Sequence, residues 1–289
     1  DYVIRTYLPR ISGAMEPLKM LPPLHSMMVG YAGVHLTAAL ARPEVTRAIE
    51  TLLKVGAEAL RWRSTMDSLQ EELTGMGFPL CAQAIAVAPF DVIGDFLRGT
   101  RGAMLDMYRR PDKLIEATEK VLPMQLGAGV FIAKRSQNPR VFIPLHKGAD
   151  GFMSLEQFKT FYWPTLKKLI VGLIDEGLTP WLFIEGDYTS RLEIIKDIPK
   201  GKAIYHFERT DIFRAKEVLG NVVCIRGGVP NFLLCTGTPQ EVKDCCKKLI
   251  DVVGEGGGFI MDSEAVIDEA KPENIKAMVD FTKEYGVYG

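Results

Sequence analysis

Hydrophobic positions change their spacing at about Phe78. Beyond it, short β-branched or apolar runs alternate with stretches whose apolar residues recur at helical spacing. The runs are 80–87, 141–145, 181–184, 203–207, 222–225 and 258–261, and the pattern predicts helices near 111–135, 155–177, 189–197, 211–219, 239–253 and 272–284. Ser154 with Gln157, and Thr238 with Glu241, have capping-box spacing, and Pro239 takes the favoured first helical position. Ahead of Phe78 a single long helix is expected over roughly 43–75. Residues 9–23 hold Pro9, Gly13, Pro17, Pro22 and Pro23, which argues against regular structure there.

Near-continuously apolar strands separated by helices imply parallel pairing with both faces covered. A series of strand-to-helix units favours an α/β fold of the (β/α)8 TIM-barrel type over an open sheet. Six strands are legible where such a barrel has eight. The chain starts at Asp1 rather than Met, so the first strands are expected upstream of it. The reading is one domain over 1–289, with a loop-rich segment at 1–42 and strand–helix repeats over 43–289.

Composition narrows the class. The chain has 289 residues, of which 47% are hydrophobic and 25% charged, and its net charge is −1. That excludes a disordered chain and removes the basic excess expected of a nucleic-acid binder. No apolar run reaches the roughly 18 residues of a membrane span. Five cysteines, Cys81, Cys224, Cys235, Cys245 and Cys246, are odd in number with two adjacent. They make a poor disulfide framework, so a reducing, cytoplasmic setting is expected.

Candidate chemistry gathers where barrel strands end. His146, Lys147 and Asp150 follow the run 141–145, and Glu185, Asp187 and Tyr188 follow 181–184. His206 lies in 203–207 with Glu208 just after it, Cys224 lies in the next run with Arg226, Gly227 and Gly228 after it, and Asp262 follows the last. His206 and Glu208 alternate along a strand and so share a face. With Glu185 they make a candidate three-ligand zinc site that leaves a position open for substrate. A plainer reading makes His206 a hydrogen-bonded barrel histidine and pairs Glu208 with Arg209 or Lys216. Likewise His146 could simply contact Asp150, and Cys224 could be a small buried hydrophobe. Glu185 directly follows Trp-Leu-Phe-Ile, where a carboxylate is costly unless paired or coordinated. Gly256-Gly257-Gly258 precedes a strand, which suits a tight turn better than a phosphate loop. Arg98, Arg101, Arg109 and Arg110 suit a solvated helix end.

The runs FDVIGDFLRGTRG (90–102), YRRPDKL (108–114), GGGFI (256–260) and KPENIKAM (271–278) resemble the uroporphyrinogen decarboxylase superfamily from about residue 40 onward. The resemblance implies a (β/α)8 barrel and one of two chemistries. One is zinc-dependent methyl transfer to or from a corrinoid protein, and the other is cofactor-free decarboxylation of uroporphyrinogen. In the thiol-methylating branch, zinc is held by a His-x-Cys motif and a later cysteine. Here His206-Phe207-Glu208 matches the motif with glutamate in place of cysteine, and the later position falls near Ala265. The aryl-ether O-demethylase branch uses glutamate and histidine ligands, and Glu185 and His206 match its spacing, while its upstream glutamate falls at Ile170.

The resulting expectation is a methyltransferase acting on a methylated small molecule, such as an aryl methyl ether, with a corrinoid-binding partner protein. Glu185, His206 and Glu208 are the expected metal ligands. Glu208, His146 and Asp150 are the expected catalytic groups, and Arg226, Asp187 and Tyr188 the expected substrate contacts. A homodimer is compatible with this reading. For the alternative, uroporphyrinogen decarboxylation, Arg98, Arg101 and Arg226 are the candidate carboxylate grips.

Overall fold

The computed structural model describes residues 40–78 and 80–287. The loop-rich reading of 1–42 therefore falls almost wholly outside the described residues. The chain forms two compact units, Asp1–Leu80 and Cys81–Gly289. In the first, helix α1 runs over Pro43–Gly75 with proline in its first turn, as expected, and buries Val45 and Ala48.

The second unit is a six-stranded parallel sheet in the order β1-β2-β3-β4-β5-β6. Its strands are β1 (Ala84–Ile85), β2 (Arg140–Leu145), β3 (Thr179–Ile184), β4 (Ile204–Phe207), β5 (Cys224–Val229) and β6 (Phe259–Ser263). Its helices are α2 (Pro89–Asp91), α3 (Thr100–Arg109), α4 (Pro111–Ser136), α5 (Leu155–Gln157), α6 (Trp163–Asp175), α7 (Leu192–Ile195), α8 (Ile212–Leu219), α9 (Asn231–Thr236), α10 (Pro239–Val252) and α11 (Pro272–Tyr285). Each strand lies beside its predecessor and runs in the same direction. Right-handed crossovers then stack the helices on one face, without the reversal of order that marks a doubly wound sheet. This is the wall of a (β/α) barrel, the expected fold.

Strand side chains alternate accordingly. Val141, Ile143, Leu145, Leu182 and Ile184 are buried in one apolar core with Leu166, Leu169, Ile170 and Leu173 of α6. The other strand face carries Phe142, Trp181, Phe183 and His206, whose rings contact one another with centroids 4.9–6.3 Å apart. Both expected capping boxes form, at Ser154–Gln157 and Thr238–Glu241.

Several elements depart from the sequence reading, among them the short helix α9, which was not expected. The first strand shrinks to two ladder residues, because Pro89 starts a helix almost at once. A π-helical turn (Val92–Leu97) leads on to α3, whose span was not read although its arginines were assigned to a solvated helix end. The helix expected at 155–177 is interrupted by a second π-helical turn, Phe158–Tyr162, just before Pro164. Proline has no N–H for the α-helical ladder, and the shifted register accommodates it. Strand β5 also runs on through Gly227 and Gly228, which were read as lying beyond it. Apolar composition alone ended the strand too early. At φ 110°, a Cβ on Gly227 would lie 2.8 Å from the Phe207 carbonyl oxygen, so a side chain there is excluded by space and by backbone conformation. Among the described residues, no helix is long and apolar enough to cross a membrane.

Leu182 is 1% exposed at the centre of the sheet. Leu182→Ala is expected to cost about 2–5 kcal/mol of unfolding free energy. In a urea titration this appears as a lower midpoint with an unchanged slope.

Candidate active site

The strand ladder aligns Leu145, Ile184, Phe207 and Gly227 across β2 to β5. The residues one step further, His146, Glu185 and Glu208, therefore emerge together at the C-terminal mouth of the wall. There His146 Nε2 stands 3.7 Å from a Glu185 carboxylate oxygen. Glu208 turns to the backbone and accepts a hydrogen bond from the Gly186 N–H at 2.6 Å. Its other oxygen lies 3.6 Å from Arg209 Nε.

His146 is held by two aspartates that sequence reading did not single out. Asp91, wholly buried at the end of α2, accepts hydrogen bonds from the His146 N–H (2.9 Å), the Lys147 N–H (3.0 Å) and the Tyr162 hydroxyl (2.7 Å). Burial pushes its carboxyl up to about 6, against the opposing pull of these hydrogen bonds. One turn on, Asp95 places one oxygen 2.6 Å from His146 Nδ1 and the other 2.5 Å from Lys147 Nζ. Burial opposes the Asp95 charge, but the bonds to His146 and Lys147 outweigh it and hold the carboxyl below its usual range. The same contact raises the His146 pKa, although partial burial works against it. Glu185 is raised, chiefly by desolvation. The signal for Asp91 and Asp95 was present in FDVIGD, where two aspartates four apart share one helical face. Gly148 keeps the following loop close to Tyr188, whose hydroxyl a Cβ would strike.

The remaining expected residues are distributed differently. Asp150 forms an ion pair with Arg191 and accepts from the Ser190 hydroxyl, so it knits the loop and does not pair with His146. Asp187 accepts from the Thr189 N–H and hydroxyl. Tyr188 is wholly buried beside Phe158 and Arg191, with no surface to offer a ligand. His206 donates Nε2–H to the Ser263 carbonyl at 2.8 Å, and burial lowers its pKa, so it sits as a hydrogen-bonded barrel histidine. Its Nδ1 is buried without a hydrogen-bond partner. Cys224 is half-buried.

Arg226 bonds Asp262 at 2.6 Å and lies 4.2 Å from the Trp181 ring centroid. Both face a chamber of about 340 Å³ that Phe142, Phe183 and His206 also line. Arg98 pairs with Asp106 at 2.6 Å on an exposed face, and Arg101 is exposed.

The three expected zinc ligands do not gather. Glu185 faces His146, Glu208 caps Gly186, and the Nε2–H of His206 is donated to Ser263. Among the described residues, no group of three His, Cys, Asp or Glu side chains is placed to hold a metal ion.

The family model for uroporphyrinogen decarboxylase (URO-D) matches residues 37–285. The chain belongs to the URO-D family. A methylcobamide:CoM methyltransferase MtbA from Methanosarcina acetivorans is 27% identical over 130 residues, 45% of this chain and 37% of that protein. A uroporphyrinogen decarboxylase from Chlorobaculum parvum is 21% identical over 227 residues, 77% of this chain and 63% of that protein. The chain thus spans less than two thirds of the length of either curated relative. A solved methyltransferase from Methanosarcina mazei superposes with a TM-score of 0.60 at 17% identity, covering 91% of this chain and 69% of its own. That likeness shows the fold.

The Asp95–His146 pair makes a pH-dependent prediction. His146 is raised, so its contribution to stability is full below the unfolded imidazole value of about 6.5 and is lost as pH rises through the folded value. Asp95 is depressed, so its contribution is present above the unfolded carboxyl value and is lost as pH falls through the folded one. NMR titration of the imidazole is expected to show His146 titrating above 6.5 and dropping in Asp95→Asn. An unchanged titration in the variant would remove Asp95 as the cause.

Proposed function

We propose that this protein is a methyltransferase moving a methyl group between a methylated small molecule and a corrinoid protein. The observation that carries the reading is the half-exposed His146 at the mouth of the wall, clamped by Asp95 and faced by Glu185. Taking a methyl group from an oxygen or nitrogen leaves an electron pair that needs a proton. An imidazolium held charged by Asp95 supplies that proton at the open end of the site. In the reverse direction the neutral imidazole takes it back. Glu185, itself raised by desolvation, offers a second group for proton exchange with His146. Lys147 holds the far oxygen of Asp95 and so fixes the carboxylate against the ring.

The corrinoid, when its carrier is docked, supplies the cobalt centre that accepts or donates the methyl group. The name of the Methanosarcina acetivorans relative, a methylcobamide methyltransferase, supports that partner. The aromatic side chains Phe142, Trp181 and Phe183 suit a flat substrate such as an aryl methyl ether. Glu185, His206 and Glu208 do not fit zinc in their observed arrangement, each being turned to a different partner. Decarboxylation is less well supported: Arg98 is engaged with Asp106 and Arg226 with Asp262.

The test is transfer from a panel of methylated phenols and amines to a reduced corrinoid protein, followed by the cobalt absorption spectrum. Turnover is expected, with His146→Gln lowering kcat by about 10²–10⁴-fold. Carbon dioxide release from uroporphyrinogen, without methyl transfer, would overturn the reading.

A further inference from the structure

The ion pair with Asp262 uses only one edge of the Arg226 guanidinium. Nε donates to Asp262 Oδ2 at 2.6 Å, and Nη2 stands 2.6 Å from the same oxygen. Asp262 Oδ1 is turned away and accepts from the Ser263 N–H at 2.8 Å. Among the described residues, the outer edge of the guanidinium meets the Cys81 sulfur, 3.5 Å from Nη1 and 3.6 Å from Nη2. A thiol sulfur is a weak acceptor. The Arg226 side chain is 17% exposed, so these N–H groups have little water to turn to. Donors withdrawn from water without a good acceptor carry a cost that an incoming anion relieves.

The surroundings indicate what carries the anion. Phe142, Trp181 and Phe183 wall the chamber of about 340 Å³ that Arg226 enters, and such walls pack against a flat aromatic ring. The guanidinium carbon stands 4.2 Å from the Trp181 ring centroid, which sets the fork at the lower end of the chamber. Cys81, just ahead of β1, lies at the same end of the strands. Trp181 precedes Glu185 by four residues on the β3 line, roughly 13 Å at strand spacing. A ring anchored on Arg226 therefore points its opposite end toward His146 and Glu185. Of the anions, a carboxylate matches the planar guanidinium edge with two parallel hydrogen bonds. We propose that the outer edge of Arg226 is a carboxylate subsite, and that the substrate is an aryl methyl ether bearing its carboxylate across the ring from the methoxyl group. The ether rests on the methyl-transfer reading, whereas the carboxylate contact rests on the geometry of Arg226.

Calorimetric titration of the full chain tests the contact without turnover. Para-methoxybenzoate is expected to bind roughly tenfold or more tightly than para-methoxybenzamide, its uncharged counterpart, as one charge-assisted hydrogen bond implies. Arg226→Lys keeps the charge but loses the planar fork, and is expected to remove most of that preference. Cys81→Asp brings a carboxylate of the protein to the outer edge at an exposed position, so the fold is kept. It is expected to weaken the acid roughly tenfold and the amide much less. Equal binding of acid and amide, or a preference for the acid that survives both variants, would overturn the proposal. If the acid binds as expected while no methylated compound passes its methyl group to a corrinoid protein, the methyl-transfer reading falls and the carboxylate subsite stands.

Discussion

The carboxylate of Asp91 is removed from water and accepts three hydrogen bonds, two from successive backbone amides at His146 and Lys147 and one from Tyr162. A buried carboxylate without partners is very costly, so this arrangement is strongly selected once the chain has collapsed. It joins the short helix after β1 to the loop after β2 and to the π-helical turn ahead of Pro164. The ring of His146 then has one direction available, outward to the mouth. Asp95 and Glu185 take up its two nitrogens on either side. Removing the anchor would leave the imidazole on a loop whose amides had lost their acceptor.

The parallel ladder contributes the second constraint. Because β2, β3 and β4 are in simple register, residues one step past each strand end arrive at one level. That brings His146, Glu185 and Glu208 to the mouth, while His206 belongs to the level below, with Phe183 and Arg226. The two levels differ in character. The upper one is polar and half-open. The lower one is a ring-lined chamber with the Arg226–Asp262 pair inside it. His206 and Glu208 alternate along one strand, yet they stand at different levels and bond to different partners, Ser263 and Gly186.

Family membership sets the fold but leaves the chemistry to the site, since one barrel supports many reactions. The relatives named here themselves divide between methyl transfer and decarboxylation. In this chain the charged groups of the site are held by nearby partners. Among the described residues, Arg98 is neutralised at the surface, Arg226 is balanced by Asp262, and the His146 imidazole at the mouth is clamped by Asp95.

The sequence by itself determined the order of the six strands, their parallel pairing and the strand ends at which candidate chemistry gathers. Apolar periodicity and helix caps are local properties, readable from neighbours along the chain. It also placed His146 and Glu185 at strand ends, where barrel sites lie. Only the tertiary structure decided which residues meet there. Asp91 and Asp95 lie 55 and 51 residues from His146, beyond any periodic signal, and their helix was hidden by its π-helical register. His206, Asp150 and Tyr188 have the right chemistry in sequence, but burial and nearer hydrogen-bond partners take them up. The difference is physical. Pattern follows from the local backbone, whereas the state of a polar group is set by whatever long-range packing brings against it.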